Sequence, residues 1–159
     1  MEGTYNRYIE TPLGLIWIEA SDRGLTKISF KEKIEGKQKS NEHVDAAAEQ
    51  LMAFFMGERQ EFMLTYDIIG TDFRMKVWNE LQKIPYGSTI SYKELAFRVG
   101  NPKAVRAVGG ANNKNPLGIV IPCHRVIGAD GSLVGYAEGI DKKKWLLDLE
   151  NKHKKLELT

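Results

Sequence analysis

Apolar positions in residues 5–30 alternate with polar ones. Tyr8-Ile9, then Leu13–Ala20, then Leu25–Phe30 show this alternation, broken at Thr11-Pro12 and at Ser21-Asp22-Arg23-Gly24. Such a pattern predicts three short strands of an antiparallel sheet. Residues 31–41 are charged and polar and read as loop. From Val44 the period lengthens. Val44, Ala47, Ala48, Leu51, Phe54 and Phe55 form one helical face, closed by Gly57. Residues 58–70 read as a strand or an extended linker ending at Gly70. Beyond it the pattern is helical. Phe73, Val77, Leu81 and Ile84 space a helix that stops before Pro85. Ser91-Tyr92-Lys93-Glu94 is a capping box opening a short helix to Val99, ended by Gly100. Asn101-Pro102 then reads as an N-cap with proline at the first helical position of a helix from Lys103 to Asn112. Two helices across a tight glycine turn form a helix-turn-helix pattern. Ile140 and Trp145 bracket an N-cap at Asp141 for a last helix through Glu150.

The elements imply an α+β fold, with an antiparallel-sheet unit over residues 1–68, a mainly helical unit over 69–152 and a polar tail at 153–159. Composition excludes several alternatives. A single cysteine allows no intramolecular disulfide, and with three scattered histidines it argues against a metal site. No stretch has the length of a membrane helix, and the N-terminus has no signal-peptide pattern, so the expectation is a cytoplasmic protein with no membrane partner. The net charge of +2 conceals an asymmetry. Residues 1–70 hold eight Lys/Arg against twelve Asp/Glu, a net of −4, whereas residues 85–125 hold six against one, a net of +5. A basic segment of this kind suits a polyanion, although on charge alone a solvated basic face is the plainer reading.

That basic segment leads into Ile121-Pro122-Cys123-His124-Arg125-Val126. A thiol reacts as its thiolate, and a neighbouring cation or base draws its pKa down from about 8.5. From the Cys123-His124-Arg125 triplet alone, a reactive nucleophile and an inert buried cysteine are both open. The helix from Lys103 is unusual: Ala104, Ala107, Gly109, Gly110 and Ala111 surround one long cation, Arg106. Each glycine costs a helix about 1 kcal/mol relative to alanine. Small side chains admit a DNA groove, but they also serve tight helix packing, and the helix alone leaves both open.

Taken together, Phe73–Trp78, Ile84-Pro85-Tyr86-Gly87, Ser91-Tyr92, Asn101–Gly109, Asn115-Pro116 and Ile121–Val126 resemble the methylated-DNA–protein-cysteine methyltransferases, also called O6-alkylguanine-DNA alkyltransferases. In residues 1–65 only Thr11-Pro12-Leu13-Gly14 matches closely. The resemblance implies a small ribonuclease-H-like α/β domain followed by a helical domain with a winged helix-turn-helix. It implies repair of double-stranded DNA containing O6-alkylguanine, with O4-methylthymine as a further substrate. The damaged base is flipped out and its alkyl group passes irreversibly to the cysteine, without a cofactor, one turnover per monomer. Cys123 is then the acceptor, His124 its base acting through a water, and Glu150, 27 residues on, the carboxylate that orients the histidine. Asn115 ties the turn near the cysteine, and Tyr92 rotates the phosphate and protonates the leaving guanine. Arg106 fills the gap left by the flipped base, with Ala104, Ala107, Gly109, Ser91, Lys103 and Arg125 at the DNA surface. The carbonyls of Cys123 and Val126 read the guanine edge, and Tyr136 packs against the flipped base.

The chain departs from the family pattern after Tyr136. Ala137 offers no hydroxyl to the guanine oxygen, and Glu138 stands where glycine is usual. The expectation is that Glu138 narrows the alkyl pocket and slows bulky O6-benzylguanine. Two other readings compete. A non-catalytic lesion binder of the alkyltransferase-like kind would lack the acceptor cysteine. A cysteine hydrolase would leave the helix-turn-helix without a purpose.

Overall fold

The computed structural model describes residues 3–154, so part of the expected polar tail lies outside the described residues. They fall into two compact units whose division is not contiguous in sequence. The first runs to Thr71 and also takes in Asn115–Ile121; the second comprises Asp72–Lys114 and the chain from Pro122 onward. The expected boundary near residue 68 therefore omits a segment that belongs with the sheet.

In the first unit β1 (Thr4–Thr11), β2 (Gly14–Ser21) and β3 (Leu25–Lys31) form an antiparallel sheet in the order β1-β2-β3. Gly14, at φ +121°, makes the turn between β1 and β2, where Thr11 Oγ1 donates to its carbonyl. Ile16, Ile18 and Ala20 alternate to one face of β2 and are buried. Helix α1 (Glu42–Phe55) packs on β1 and β2 and buries all six residues of its periodic face. Asn41 caps it, accepting from the Val44 amide. Trp17, on the opposite side of β2, is half-buried against Tyr8, with ring centroids 4.8 Å apart. Residues 58–70 are an extended linker rather than a strand, meeting the sheet at an isolated bridge from Tyr66 to Leu25 and where Ser21 Oγ donates to the Asp67 carboxylate.

Asn115–Ile121 lies along β3. The Ile28 amide donates to the Pro116 carbonyl, and the Gly118 amide donates to the Ile28 carbonyl. The Val120 amide donates back to the Gly118 carbonyl across Ile119, whose φ is +72°. A β-branched residue there is strained by about 1–3 kcal/mol. Asn115 braces the turn. Its Nδ2 donates to the Ile121 carbonyl at 2.7 Å, and its Oδ1 accepts from the Leu117 amide.

In the second unit α2 (Asp72–Leu81) packs on α4 (Val105–Asn113), and Trp78 Nε1 donates to the Ala111 carbonyl. Between them β4 (Ile90–Ser91) leads into α3 (Tyr92–Arg98). Ser91 caps α3 by accepting from the Glu94 amide. The Glu94 carboxylate pairs with Arg98 instead of closing the box. Gly100, at φ +86°, ends α3. Helix α4 starts later than Asn101-Pro102 predicts. Those residues form the turn between the helices, and Ala104 holds the N-cap position without a side-chain bond. A three-residue 3-10 turn (Cys123–Arg125) passes into β5 (Val126–Ile127), which pairs parallel with β4. Helix α5 (Ile140–His153) begins after Gly139 at φ +111°, not at an Asp141 cap.

Candidate active site

Pro122, confined to its own φ, sets the entry to the 3-10 turn that carries Cys123, His124 and Arg125. All three are buried, with Cys123 7% exposed. Opposite the turn, α5 presents Lys143, Leu146 and Glu150 as one buried stripe at i, i+3 and i+7. The last helix thus delivers a carboxylate and an ammonium to the cysteine turn.

Glu150 is the hub. Its Oε2 accepts from His124 Nε2 at 2.6 Å and from Arg125 Nη2 at 2.9 Å. Its Oε1 accepts from Arg125 Nε at 2.8 Å and from the Gly87 amide at 3.1 Å. Burial alone would push this carboxyl up. The hydrogen bond from His124 and the Arg125 guanidinium outweigh burial and hold it at about 2. His124 moves down from 6.5, chiefly because it is fully buried, so the ring is neutral at neutral pH. With Nε2–H donated to Glu150, the lone pair is on Nδ1, which has no hydrogen-bond partner among the described residues. A neutral imidazole with an open acceptor can serve as a base, directly or through a bridging water.

Arg125 is not a surface residue, and this corrects its expected place at the DNA. It is 6% exposed, forks onto both oxygens of Glu150, donates through Nη1 to the Ile84 carbonyl and lies 5.6 Å from the Tyr86 ring centroid. A bidentate fork of this kind fixes the carboxylate plane, and with it the histidine.

Tyr92, at the start of α3, donates its hydroxyl to the Val134 carbonyl at 2.9 Å. Burial raises the phenols of Tyr92 and, further, of Tyr136, and the charge of Cys123 adds to both. Lys143, which the sequence reading left unassigned, is fully buried. It donates to the Val126 and Val134 carbonyls, and burial lowers its pKa to about 8. It thereby ties the loop carrying Tyr136, Ala137 and Glu138 to β5. Ala137 is exposed, and Glu138 is half-exposed and close enough to Tyr136 to raise that phenol further. Cys123, His124, Glu150, Tyr92, Val126 and Tyr136 therefore belong to one unit, whereas Asn115 belongs to the first unit and braces its own turn.

The DNA-side residues expected on α4 divide by face. Lys103, Arg106 and Ala107 are exposed, Ala104 and Gly109 are half-exposed, and Val108, Ala111 and Asn112 are buried. Ser91 spends its hydroxyl on the α3 cap. A methyl group added at Gly110 would meet nothing within 4 Å, and one at Gly109 would only touch the Tyr92 ring at 3.8 Å. Internal packing therefore does not require either glycine.

The comparisons with known proteins cover both units. Residues 4–68 match the family described as 6-O-methylguanine DNA methyltransferase, ribonuclease-like domain. Residues 72–152 match 6-O-methylguanine DNA methyltransferase, DNA binding domain. A methylated-DNA–protein-cysteine methyltransferase of Methanosarcina acetivorans is 47% identical over 152 residues, covering 92% of this chain and 97% of that one. One from Mycolicibacterium paratuberculosis is 44% identical over 158 residues, covering 96% of each. Among solved structures, the O6-methylguanine methyltransferase of Mycobacterium tuberculosis superposes with a TM-score of 0.87 at 40% identity over 98% of this chain and 97% of that one. The same organism's OGT in complex with DNA gives 0.83 at 43% identity over 93% of each.

Proposed function

This chain belongs to the 6-O-methylguanine DNA methyltransferase family, and from that premise we infer that it repairs DNA by transferring the alkyl group of O6-alkylguanine irreversibly to Cys123. One observation carries the assignment of the acceptor. A protein-cysteine methyltransferase needs a cysteine, and the chain's single one sits on the turn that also places His124 against Glu150.

His124 takes the thiol proton at Nδ1 through a water, and Glu150 steadies the imidazolium that forms. The thiolate pair forms the new carbon–sulfur bond, and the carbon–O6 bond breaks with its electrons left on the guanine. Tyr92 supplies the proton that restores the base. Electrons balance without a cofactor. The thioether has no route back, so each molecule acts once. Arg125 and Lys143 are positioning residues, the first through Glu150 and the second by holding the Val126 carbonyl beside the pocket. Double-stranded DNA lies against the exposed side of α4, where Arg106 enters the stack in place of the flipped base. Tyr136, Ala137 and Glu138 line the alkyl pocket, where Glu138 restricts bulky groups. O4-methylthymine is a second substrate of the same pocket. All the proposed chemical groups come from one chain, which supports action as a monomer, and a thiol acceptor suits a reducing cytoplasm. No described helix is long and apolar enough to cross a membrane.

Intact-mass spectrometry after mixing the protein with a short duplex bearing one O6-methylguanine tests this reading. The expected result is a gain of one methylene per molecule, located on Cys123 and absent from Cys123→Ala. Tight lesion binding without mass gain would make the protein a binder instead.

A further inference from the structure

Helix α4 reaches the cysteine turn through Asn112, which is 1% exposed. Its Nδ2 donates to the Cys123 carbonyl at 3.3 Å. Asn112 also draws the Tyr92 phenol down slightly, against the larger effect of burial. Its Oδ1 is buried and accepts nothing among the described residues. Turning the amide over would set Oδ1 against the Cys123 carbonyl, oxygen facing oxygen, so the orientation is fixed. A buried acceptor left unmet is a cost that a leucine of similar size would avoid. Packing therefore does not explain an asparagine here, whereas its N–H donors do. One face of α4 carries exposed Arg106 and Gly110, and the buried face carries Asn112.

We propose that Asn112 is a positioning residue for alkyl transfer, holding the Cys123 carbonyl from the helix that faces DNA, so that seating α4 on the duplex sets the reaction centre. The proposal rests on the alkyl-transfer reading above and adds a residue to it.

The test uses the full chain, Asn112→Leu and Asn112→Asp, the latter equal in shape but without the N–H donors. Intact mass is followed in rapid-quench time courses against increasing methylated duplex, giving a saturating rate and a half-saturating concentration. The reaction with free O6-benzylguanine is run in parallel. The saturating rate is expected to fall at least fivefold, with half-saturation moved less than threefold and a smaller loss on the free base. A loss under fivefold, or equal losses on duplex and free base, overturns the proposal. If Asn112→Leu does not fold, Asn112→Asp decides alone. An unsubstituted protein that gains no methyl would instead sink the alkyl-transfer reading itself.

Discussion

The Glu150 carboxylate accepts from His124, twice from Arg125 and once from the Gly87 amide. Replacing it by glutamine leaves a buried guanidinium without its counter-charge, a change that costs about 3–5 kcal/mol in comparable buried pairs. The same carboxylate sets an acid limit. Its folded pKa of about 2 lies below the ordinary 4.5, so its contribution is full above pH 4.5 and drains away as pH falls toward 2. His124 acts in the same direction from higher pH. Its folded pKa is below 6.5, so protons bind the unfolded chain first and stability begins to fall below that value. Thermal midpoints measured from pH 7 to pH 3 should drop steeply for the natural chain and more gently for Glu150→Gln from its lower starting point. Parallel curves would mean that the fork contributes nothing. Cys123, His124 and Glu150 were legible through their motif and spacing. Arg125, Lys143 and Asn112 were not, because charged and amide side chains belong at the surface unless a partner elsewhere in the chain compensates their burial. The one available signal was periodic. Lys143, inside a run of three lysines, shares the stripe of Leu146 and Glu150.

At the scale of elements, α4 carries glycine where nothing inside the protein requires it. Gly110→Ala removes the backbone-entropy penalty and meets no neighbour, so the fold should gain about 0.5–1 kcal/mol. If the exposed side of α4 approaches DNA closely, the same methyl group weakens duplex binding. A higher thermal midpoint with a raised Kd is the expected pair of results, and a higher midpoint with unchanged Kd would move the interface off this face. Strands and α1 could be read from periodicity because each buries a single face. The starts of α4 and α5 could not. Asn101-Pro102 fits a helix start and a turn equally well, and Gly139 takes the position that Asp141 was expected to cap.

For the whole molecule, the segment just before the acceptor cysteine is built into the other unit. Leu117, Ile119 and Ile121 are buried there, and the backbone of residues 116–118 is paired with Ile28. Sequence composition could not reveal this, because its charge break falls near residue 70 while the chain returns to the sheet at residue 115. A fragment of residues 72–154 would leave those three apolar side chains uncovered and Ile119 strained without support. It should aggregate or react with methylated duplex at least tenfold more slowly than the full chain. A soluble fragment of equal rate would show that the strand-like stretch is dispensable.

Cys123 is the chain's one thiol. A colorimetric thiol titre of the unfolded protein therefore counts unspent acceptors one for one, with no other sulfhydryl to subtract. Without any DNA in the assay, the missing fraction of thiol in an otherwise unoxidised sample records how many lesions its molecules have already met.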